Sequence, residues 1–261
     1  MPALLALSTS AGWNQTEADW SRLLELSPRG CWGVEADGRI AASATLVVYG
    51  GGVGWAGMVL TLPEYRGRGF ASSLLDTALR AANAMGIESL RLDATDLGRP
   101  VYEKLGFRAD YEVERWRCET AAAGENPLSL RPASAAGWAE LDPPAFGADR
   151  DALLRHLALT ARSAALPGGF AFARPGRTAS QFGPAVAATP EAGCALLRWF
   201  LSEHTGSACI WDLCPGNAAA VALAREHGFV PVRRLLRMSL GARREARPSP
   251  SILALAGFEW G

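Results

Sequence analysis

A glycine-bearing loop between an apolar strand and a helix is the segment of this sequence whose residue types best fit a chemical task. It reads Pro63-Glu64-Tyr65-Arg66-Gly67-Arg68-Gly69-Phe70-Ala71. Such a loop brings backbone N–H groups and the positive end of a helix dipole to one point, and glycine lets an anion approach the main chain. A diphosphate fits that description. The spacing excludes a G-x-G-x-x-G loop and a Gly-Lys-Ser/Thr loop; for Gly67 and Gly69 alone, an ordinary turn before a helix is the alternative.

Strands and helices alternate on both sides of this loop. Apolar spacing from Trp13 to Leu26, with Thr16 placed as a cap, predicts a first helix. Periodicity and turn residues then predict strands over 31–35, 39–49, 53–62, 89–94 and 108–119, and helices over 71–85 and 99–105. The first 119 residues therefore predict an α/β (α+β) unit.

The second part of the chain repeats part of this order. A strand ending in aspartate, a short helix, a Gly-Phe pair and a closing strand occur after both Asp93 and Asp212. The small, featureless residues 120–127 lie between the two copies. We therefore predict domains over 1–119 and 128–261 joined by a linker over 120–127, rather than one fold of about 240 residues. The apolar tail, Ser251 to Trp260, predicts an additional strand.

Two motifs in the first half carry a resemblance to a known family. Arg66-x-x-Gly69-x-Ala71, after a Pro-x-Tyr-Arg lead-in, resembles the acyl-CoA loop of the GNAT superfamily of N-acetyltransferases. Residues 100–107, PVYEKLGF, resemble that superfamily's later helix and turn. The resemblance covers residues 13–119 and implies acetyl-CoA as cosubstrate. With the duplication, it implies tandem GNAT folds, each a mixed, mostly antiparallel sheet flanked by helices.

The resemblance also implies where CoA binds. In the family, the exposed backbone of the strand before the loop holds the pantetheine arm, and loop N–H groups hold the pyrophosphate. The matching residues are Val59, Leu60, Thr61, Arg66, Gly67, Arg68, Gly69, Phe70, Ala71 and Ser72. Many members carry an asparagine after the next strand. Here Thr95 or Asp96 stands there in a shortened loop, which leaves the far wall of the CoA site undefined.

Two residues are candidates for proton transfer. Tyr102 matches the tyrosine that many members place near the CoA sulfur, where a phenol with a pKa near ~10 can protonate a leaving thiolate; a tyrosine packed on a helix face is the alternative. Asp93 is the candidate base for the attacking amine, with a turn cap or salt bridge as the alternative. Candidates for lining an acceptor pocket are Trp13, Asn14, Trp55 and Glu35, although core packing or a solvated hairpin end also explains them.

The second half lacks the cofactor signals. Residues 187–193 hold no Arg-x-x-Gly motif. The carboxylate of Glu191, at the predicted helix start, interacts with the positive end of the helix dipole and repels diphosphate. Ala224 stands where the first half has Tyr102. This half resembles the atypical C-terminal domain of some two-domain GNAT proteins, so we expect it to pack as a pseudo-dimer partner and to supply one wall of the acceptor cleft. We interpret Asp212, Asn217 and His227 as structural. We interpret Arg233, Arg234 and Arg237 as a solvated strand face, with an anion site as the alternative.

The composition of the chain argues against several classes of protein. The chain has 26 Lys and Arg against 26 Asp and Glu, which gives no electrostatic reason to bind nucleic acid or an anionic membrane. No apolar run reaches the ~20 residues of a membrane span, and the N-terminus lacks the basic region of a signal peptide. Five cysteines and three histidines fit neither a disulfide framework nor a metal site. We expect a cytoplasmic protein without a metal, either monomeric with pseudo-dimeric halves or homodimeric.

The functional prediction is an N-acetyltransferase that moves an acetyl group from acetyl-CoA to a primary amine by direct attack in a ternary complex. The candidate acceptors are an amino acid, a small amine, an aminoglycoside-like compound and a peptide N-terminus. A non-catalytic CoA-binding sensor or interaction module is the alternative from another class. Use of a longer acyl-CoA is a third possibility, which depends on pocket volume.

Overall fold

The computed structural model describes residues 1–122, 130–242 and 248–261. Of the predicted linker, residues 123–127 lie outside the described residues. The first half begins with a helix that the sequence pattern did not predict, α1 (Pro2–Ser10), followed by α2 (Glu17–Leu26). Helix α2 begins directly after Thr16, the predicted cap, which forms a capping box with Asp19. The remaining elements of this half are β1 (Cys31–Ala36), β2 (Arg39–Tyr49), β3 (Val53–Thr61), α3 (Phe70–Ala84), β4 (Ser89–Ala94), α4 (Arg99–Lys104) and β5 (Arg108–Cys118).

The second half begins with three helices and then repeats the strand and helix order of the first. Its elements are α5 (Ala135–Ala139), α6 (Asp142–Phe146), α7 (Asp151–Thr160), β6 (Arg162–Leu166), β7 (Gly169–Arg174), β8 (Ser180–Ala187), α8 (Pro190–Glu203), β9 (Cys209–Leu213), α9 (Ala218–Glu226), β10 (Val230–Gly241) and β11 (Ile252–Ala254). None of the helices built from the described residues is long and apolar enough to cross a membrane.

The described strands form one continuous sheet in which the two halves exchange their closing strands. The order is β1-β2-β3-β4-β10-β5-β9-β8-β7-β6, with β11 paired to β8 outside this path. Strand β10 of the second half lies beside β4, and β5 of the first half lies beside β9. The two exchanged strands pair with each other, and Val113 and Leu235 on them are buried. The sheet is mixed and mostly antiparallel, as predicted, but each half completes its sheet with a strand from the other.

The two parallel contacts of the sheet occupy corresponding places in the halves. Strand β3 pairs with β4 only over Val53–Trp55, and β8 pairs with β9 only over Ser180–Phe182. Beyond these short ladders the neighbouring strands separate. Each half therefore contains a cleft between diverging strands, and the two clefts differ in what occupies them.

Candidate functional site

A cavity of about 600 Å³ occupies the cleft between β3 and β4. The backbone geometry of β3 opens this cleft, because β3 carries one extra residue relative to β2 between Gly57 and Leu60. Met58 lies in this bulge with a φ of 47°, and the Ser43 hydroxyl donates a 2.8 Å hydrogen bond to its carbonyl oxygen. The residues of β3 beyond Trp55 line the cavity instead of pairing with β4.

The predicted anion loop lies at one end of this cavity. Gly67 and Gly69 have φ angles of 77° and 79°, and a Cβ added at either would meet nothing within 4 Å, so the approach to the backbone is open. Gly69 is the N-cap of α3 and offers no side chain to the first-turn N–H groups. An anionic group therefore fits here by the chemistry of the loop.

Most of the residues predicted to bind CoA border the cavity. They are Val59, Leu60, Thr61, Arg66, Gly67, Gly69, Phe70, Ala71 and Ser72. Arg68 is not among the lining residues, because its guanidinium lies over the Tyr65 ring, 5.0 Å from the ring centroid.

Tyr102, on α4, also lines the cavity. The residue is 8% exposed, and its ring packs edge-on against Phe107, with 5.9 Å between centroids. Burial raises the pKa of Tyr102 to about 12. The phenol therefore stays protonated at neutral pH and can donate a proton or hydrogen bond.

Asp93, near the end of β4, borders the cavity, but its side chain is fully buried. Both carboxylate oxygens accept hydrogen bonds from Arg237 on the exchanged strand β10, at 2.9 and 3.0 Å. Burial raises the pKa of Asp93, and Arg237 opposes that shift. The salt bridge, one of the two alternatives for this residue, is thus the observed contact. Arg237 is buried in this ion pair, which corrects its interpretation as a solvated residue.

The structure separates the four predicted acceptor-pocket residues. Trp13 lines the cavity. Trp55 is fully buried, and its indole N–H donates to the Phe258 carbonyl at 3.0 Å. Asn14 is buried and bonds the backbone of Thr178 and Ala179, so it ties the N-terminal loop to the second half. Glu35 is exposed on β1. These last three lie outside the cavity lining, because core packing, inter-half contacts and the hairpin edge hold them elsewhere.

The α1–α2 loop, the exchanged strands β5 and β10 and the C-terminal tail supply residues that the sequence patterns did not assign to the site. They are Gln15, Arg115, Arg233, Leu235, Phe258 and Glu259. The tail does include strand β11, but it then passes Gly57, where an added Cβ would lie 3.2 Å from the Cα of Glu259. A charged residue inside the apolar run SILALAGFEW was the only signal in the sequence for this placement.

Glu259 belongs both to the cavity lining and to a buried polar cluster. Its Oε2 accepts a 3.0 Å hydrogen bond from Gln15, and Oε1 lies 3.9 Å from a guanidinium nitrogen of Arg174. Arg174 makes its closer ion pair with Asp19, at 2.7 Å. Burial and the charge of Asp19 raise the pKa of Glu259, and they outweigh Arg174, a backbone hydrogen bond and Arg115, which lower it. The negative charge of Glu259 is therefore only weakly balanced by the positive charges around it.

In the second half, the chain itself fills the corresponding cleft. Strand β11 pairs with β8, and the residue that follows β11, Leu255, donates its N–H to the Asp212 carbonyl on β9 at 2.8 Å. Helix α8 is capped by Thr189, and hydrogen bonds from the Glu191 N–H and Thr189 lower the pKa of Glu191. In the first half, the backbone groups of the diverging strands face a cavity. In the second half, the corresponding backbone groups are already hydrogen-bonded to the chain's own tail.

Comparisons with known proteins agree with this geometry. A family model described as "Acetyltransferase (GNAT) family" matches residues 4–107, and one described as "Acetyltransferase (GNAT) domain" matches residues 138–252. A glucosamine 6-phosphate N-acetyltransferase of Trypanosoma brucei brucei is 36% identical over 78 residues, which are 28% of this chain and 53% of that protein. The chain thus spans about half the length of that relative.

Two solved structures share the fold over most of their length. A putative acetyltransferase from Pyrococcus horikoshii has a TM-score of 0.87 at 19% identity and covers 100% of this chain and 92% of that one. A tandem GNAT protein from the clavulanic acid biosynthesis pathway has a TM-score of 0.62 at 15% identity, with 94% of each chain covered.

Proposed function

The chain belongs to the GNAT family of acetyltransferases, and from that premise we propose that it transfers an acetyl group from acetyl-CoA to a primary amine by direct attack in a ternary complex. The observation that carries the proposal is the continuity of one cavity. It joins the open loop at Gly67–Gly69, the unpaired residues of β3 and the Tyr102 ring. In the second half, β11 fills the equivalent cleft, so we assign acetyl-CoA to the first half alone.

Each part of the cavity has a distinct task in this proposal. The uncapped N–H groups of residues 67–72 hold the pyrophosphate at the helix N-terminus. The backbone of Val59, Leu60 and Thr61 holds the pantetheine arm as an added strand. When bound, acetyl-CoA supplies the thioester carbonyl that the amine attacks. Tyr102 donates its proton to the departing sulfur.

The amine must lose a proton, and the carboxylates that border the cavity in the described part of the chain are those of Asp93 and Glu259. Asp93 was the sequence-based candidate, but its side chain is fully buried and bonded through both oxygens to Arg237. Glu259 accepts a hydrogen bond from the neutral Gln15 and is 3.9 Å from Arg174. This geometry favours Glu259 over Asp93 as the proton acceptor. Its side chain is 2% exposed, so we expect transfer through one bridging water.

A thiol-release assay with acetyl-CoA against a panel of primary amines tests the proposal. The panel includes an amino sugar, because one relative is a glucosamine 6-phosphate N-acetyltransferase. We expect wild-type protein to release CoA with at least one amine. Binding of acetyl-CoA by calorimetry without thiol release from any amine would instead support the non-catalytic CoA-binding module.

A further inference from the structure

Two arginines face each other across the exchanged strands at one end of the cavity. Arg115 on β5 and Arg233 on β10 are directly paired in the antiparallel ladder, so their side chains share one face of the sheet. Both line the cavity. Aromatic rings support both guanidinium groups: Phe258 lies 4.9 Å from that of Arg115, and Trp13 lies 5.3 Å from that of Arg233. We call the region bounded by Trp13, Arg115, Arg233 and Phe258 the arginine end of the cavity.

The two positive charges differ in how they are compensated. Asp212 accepts two hydrogen bonds of 2.7 Å from Arg115, a bidentate pair in which the carboxylate is fully buried. Arg233 forms no ion pair with a carboxylate of the described residues. Burial, and after it the charge of Arg115, lower the pKa of Arg233, while the charge of Asp212 opposes that shift. The cavity wall therefore presents one guanidinium that forms no close ion pair among the residues described, because the nearby carboxylate of Asp212 is already bonded to Arg115.

The arginine end lies away from the predicted pyrophosphate loop. Phe258 accepts a hydrogen bond from Trp55, and its neighbour Glu259 packs on Gly57, so the tail crosses β3 near the start of its unpaired part. The loop follows Thr61 at the other end. Gly57 and Thr61 are four positions apart on β3, a span of at most about 14 Å. The charge of Arg233 is thus placed for a molecule other than the CoA diphosphate.

We propose that Arg233 binds an anionic group, a carboxylate or a phosphate, of the amine acceptor, so that the acceptor is an amine that also carries a negative charge. The inference rests on the proposed acetyltransferase function and narrows its substrate class. Arg115, held by Asp212, fixes the neighbouring wall and adds positive potential. The sequence patterns favoured a solvated arginine face over an anion site; the structure places Arg233 in the cavity and leaves Arg234 exposed, beside Glu112 and Glu114.

Matched acceptor pairs test this inference. The first pair is β-alanine and its amide, and the second is glucosamine 6-phosphate and glucosamine, so the two pairs distinguish a carboxylate from a phosphate. Steady-state kinetics are measured for wild type, Arg233→Met, Arg233→Lys and the control Arg234→Met. Wild type should prefer the anionic member of at least one pair, and Arg233→Met should raise KM for that member by roughly tenfold to a hundredfold.

The remaining kinetic constants distinguish a loss of acceptor recognition from general damage to the active site. KM for acetyl-CoA and for the neutral amines should stay within about twofold in Arg233→Met, Arg233→Lys should keep part of the preference, and Arg234→Met should match wild type. Equal use of both members of each pair by wild type, or an equal loss for both in Arg233→Met, would overturn the inference while leaving the acetyltransferase function intact.

A binding experiment covers the case in which no amine is acetylated. Calorimetry of β-alanine and glucosamine 6-phosphate with the CoA-loaded protein compares wild type with Arg233→Met. Anion-dependent binding that disappears in the variant supports the anion site even if the catalytic proposal fails. Absence of binding for both compounds contradicts the anion site.

Discussion

Tyr102 is the residue whose surroundings and proposed task agree most directly. It borders the cavity, Phe107 fixes its ring, and its raised pKa of about 12 keeps the proton on the phenol. We expect Tyr102→Phe to lower kcat by about 10²-fold to 10⁴-fold, since general acid catalysis contributes on that scale, with little change in KM for acetyl-CoA. Thiol-release kinetics check this. Tyr111→Phe is the matched control, because Tyr111 lies outside the cavity lining and bonds Arg237. A wild-type kcat in Tyr102→Phe contradicts the assignment.

Glu259 should control the acidic side of the pH profile. The charged groups around it are Arg174, Asp19, Arg115 and Arg22, and burial raises its pKa above the ordinary glutamate value. If Glu259 takes up the amine proton, kcat/KM falls as pH drops through this raised pKa, and the midpoint lies above about 4.3. Glu259→Gln should lower kcat by about a hundredfold or more and remove this limb. Asp93→Asn should leave the limb in place and lower Tm, because it weakens a buried ion pair.

The same pKa shift predicts how stability depends on pH. A carboxyl group whose pKa is higher in the folded than in the unfolded protein stabilises the folded state. This stabilisation is complete at a pH below the unfolded-state pKa, and it is lost as the pH rises through the folded-state pKa. The amide introduced by Glu259→Gln does not titrate, so the Tm of this variant should rise relative to wild type as pH increases across that interval. Thermal unfolding over a pH series measures the difference. A constant Tm difference means that Glu259 has no raised pKa in the folded protein.

At the scale of elements, the loop and α3 make the sharpest prediction. Gly69→Glu places a carboxylate at the uncapped N-terminus of α3, where it takes the N–H groups and repels diphosphate. We expect KM for acetyl-CoA to rise at least about tenfold. Gly86→Glu is the control, because Gly86 also has a positive φ, 69°, and open space at its Cβ, but lies after the other end of α3. Similar losses of stability with unequal losses of acetyl-CoA binding are the expected result.

Element-level prediction from the sequence succeeded where the cause is local. The Thr16 cap, the strand-loop-helix at residues 53–85 and the Gly-Phe turn after Tyr102 depend on neighbours within a few residues. The exchange of β5 and β10 does not, because either closing strand has the apolar pattern to pair with β4. The position of Glu259 in the cavity wall could not be predicted from the sequence either, because the tail's path past Gly57 depends on contacts between residues about 200 positions apart. The local motifs thus indicated the loop and Tyr102, and the acceptor end required the tertiary structure.

For the whole molecule, the exchange means that neither half holds a complete sheet of its own. Strand β10 joins β4 to β5, and β5 joins β10 to β9, so loss of structure in one half removes a strand from the other. The tail extends this coupling, because Tyr49 in β2 donates a hydrogen bond to the Trp260 carbonyl at 2.8 Å. The acceptor end is itself built across the halves, with Trp13 and Arg115 from one and Arg233 and Phe258 from the other.

This coupling predicts that damage in the second half spreads to the first. Phe200→Ala removes a fully buried side chain of α8 that packs on Phe182. The substitution should lower the free energy of unfolding by about 3–5 kcal/mol. Hydrogen exchange by mass spectrometry should show that amides of β2–β4 lose protection together with those of β7–β9, because both sets open through one global transition. Leu159→Ala, at an 87% exposed position, should leave both sets unchanged. Loss of protection confined to β7–β9 would mean that the halves unfold independently, and the acceptor end could then open without disturbing the first half.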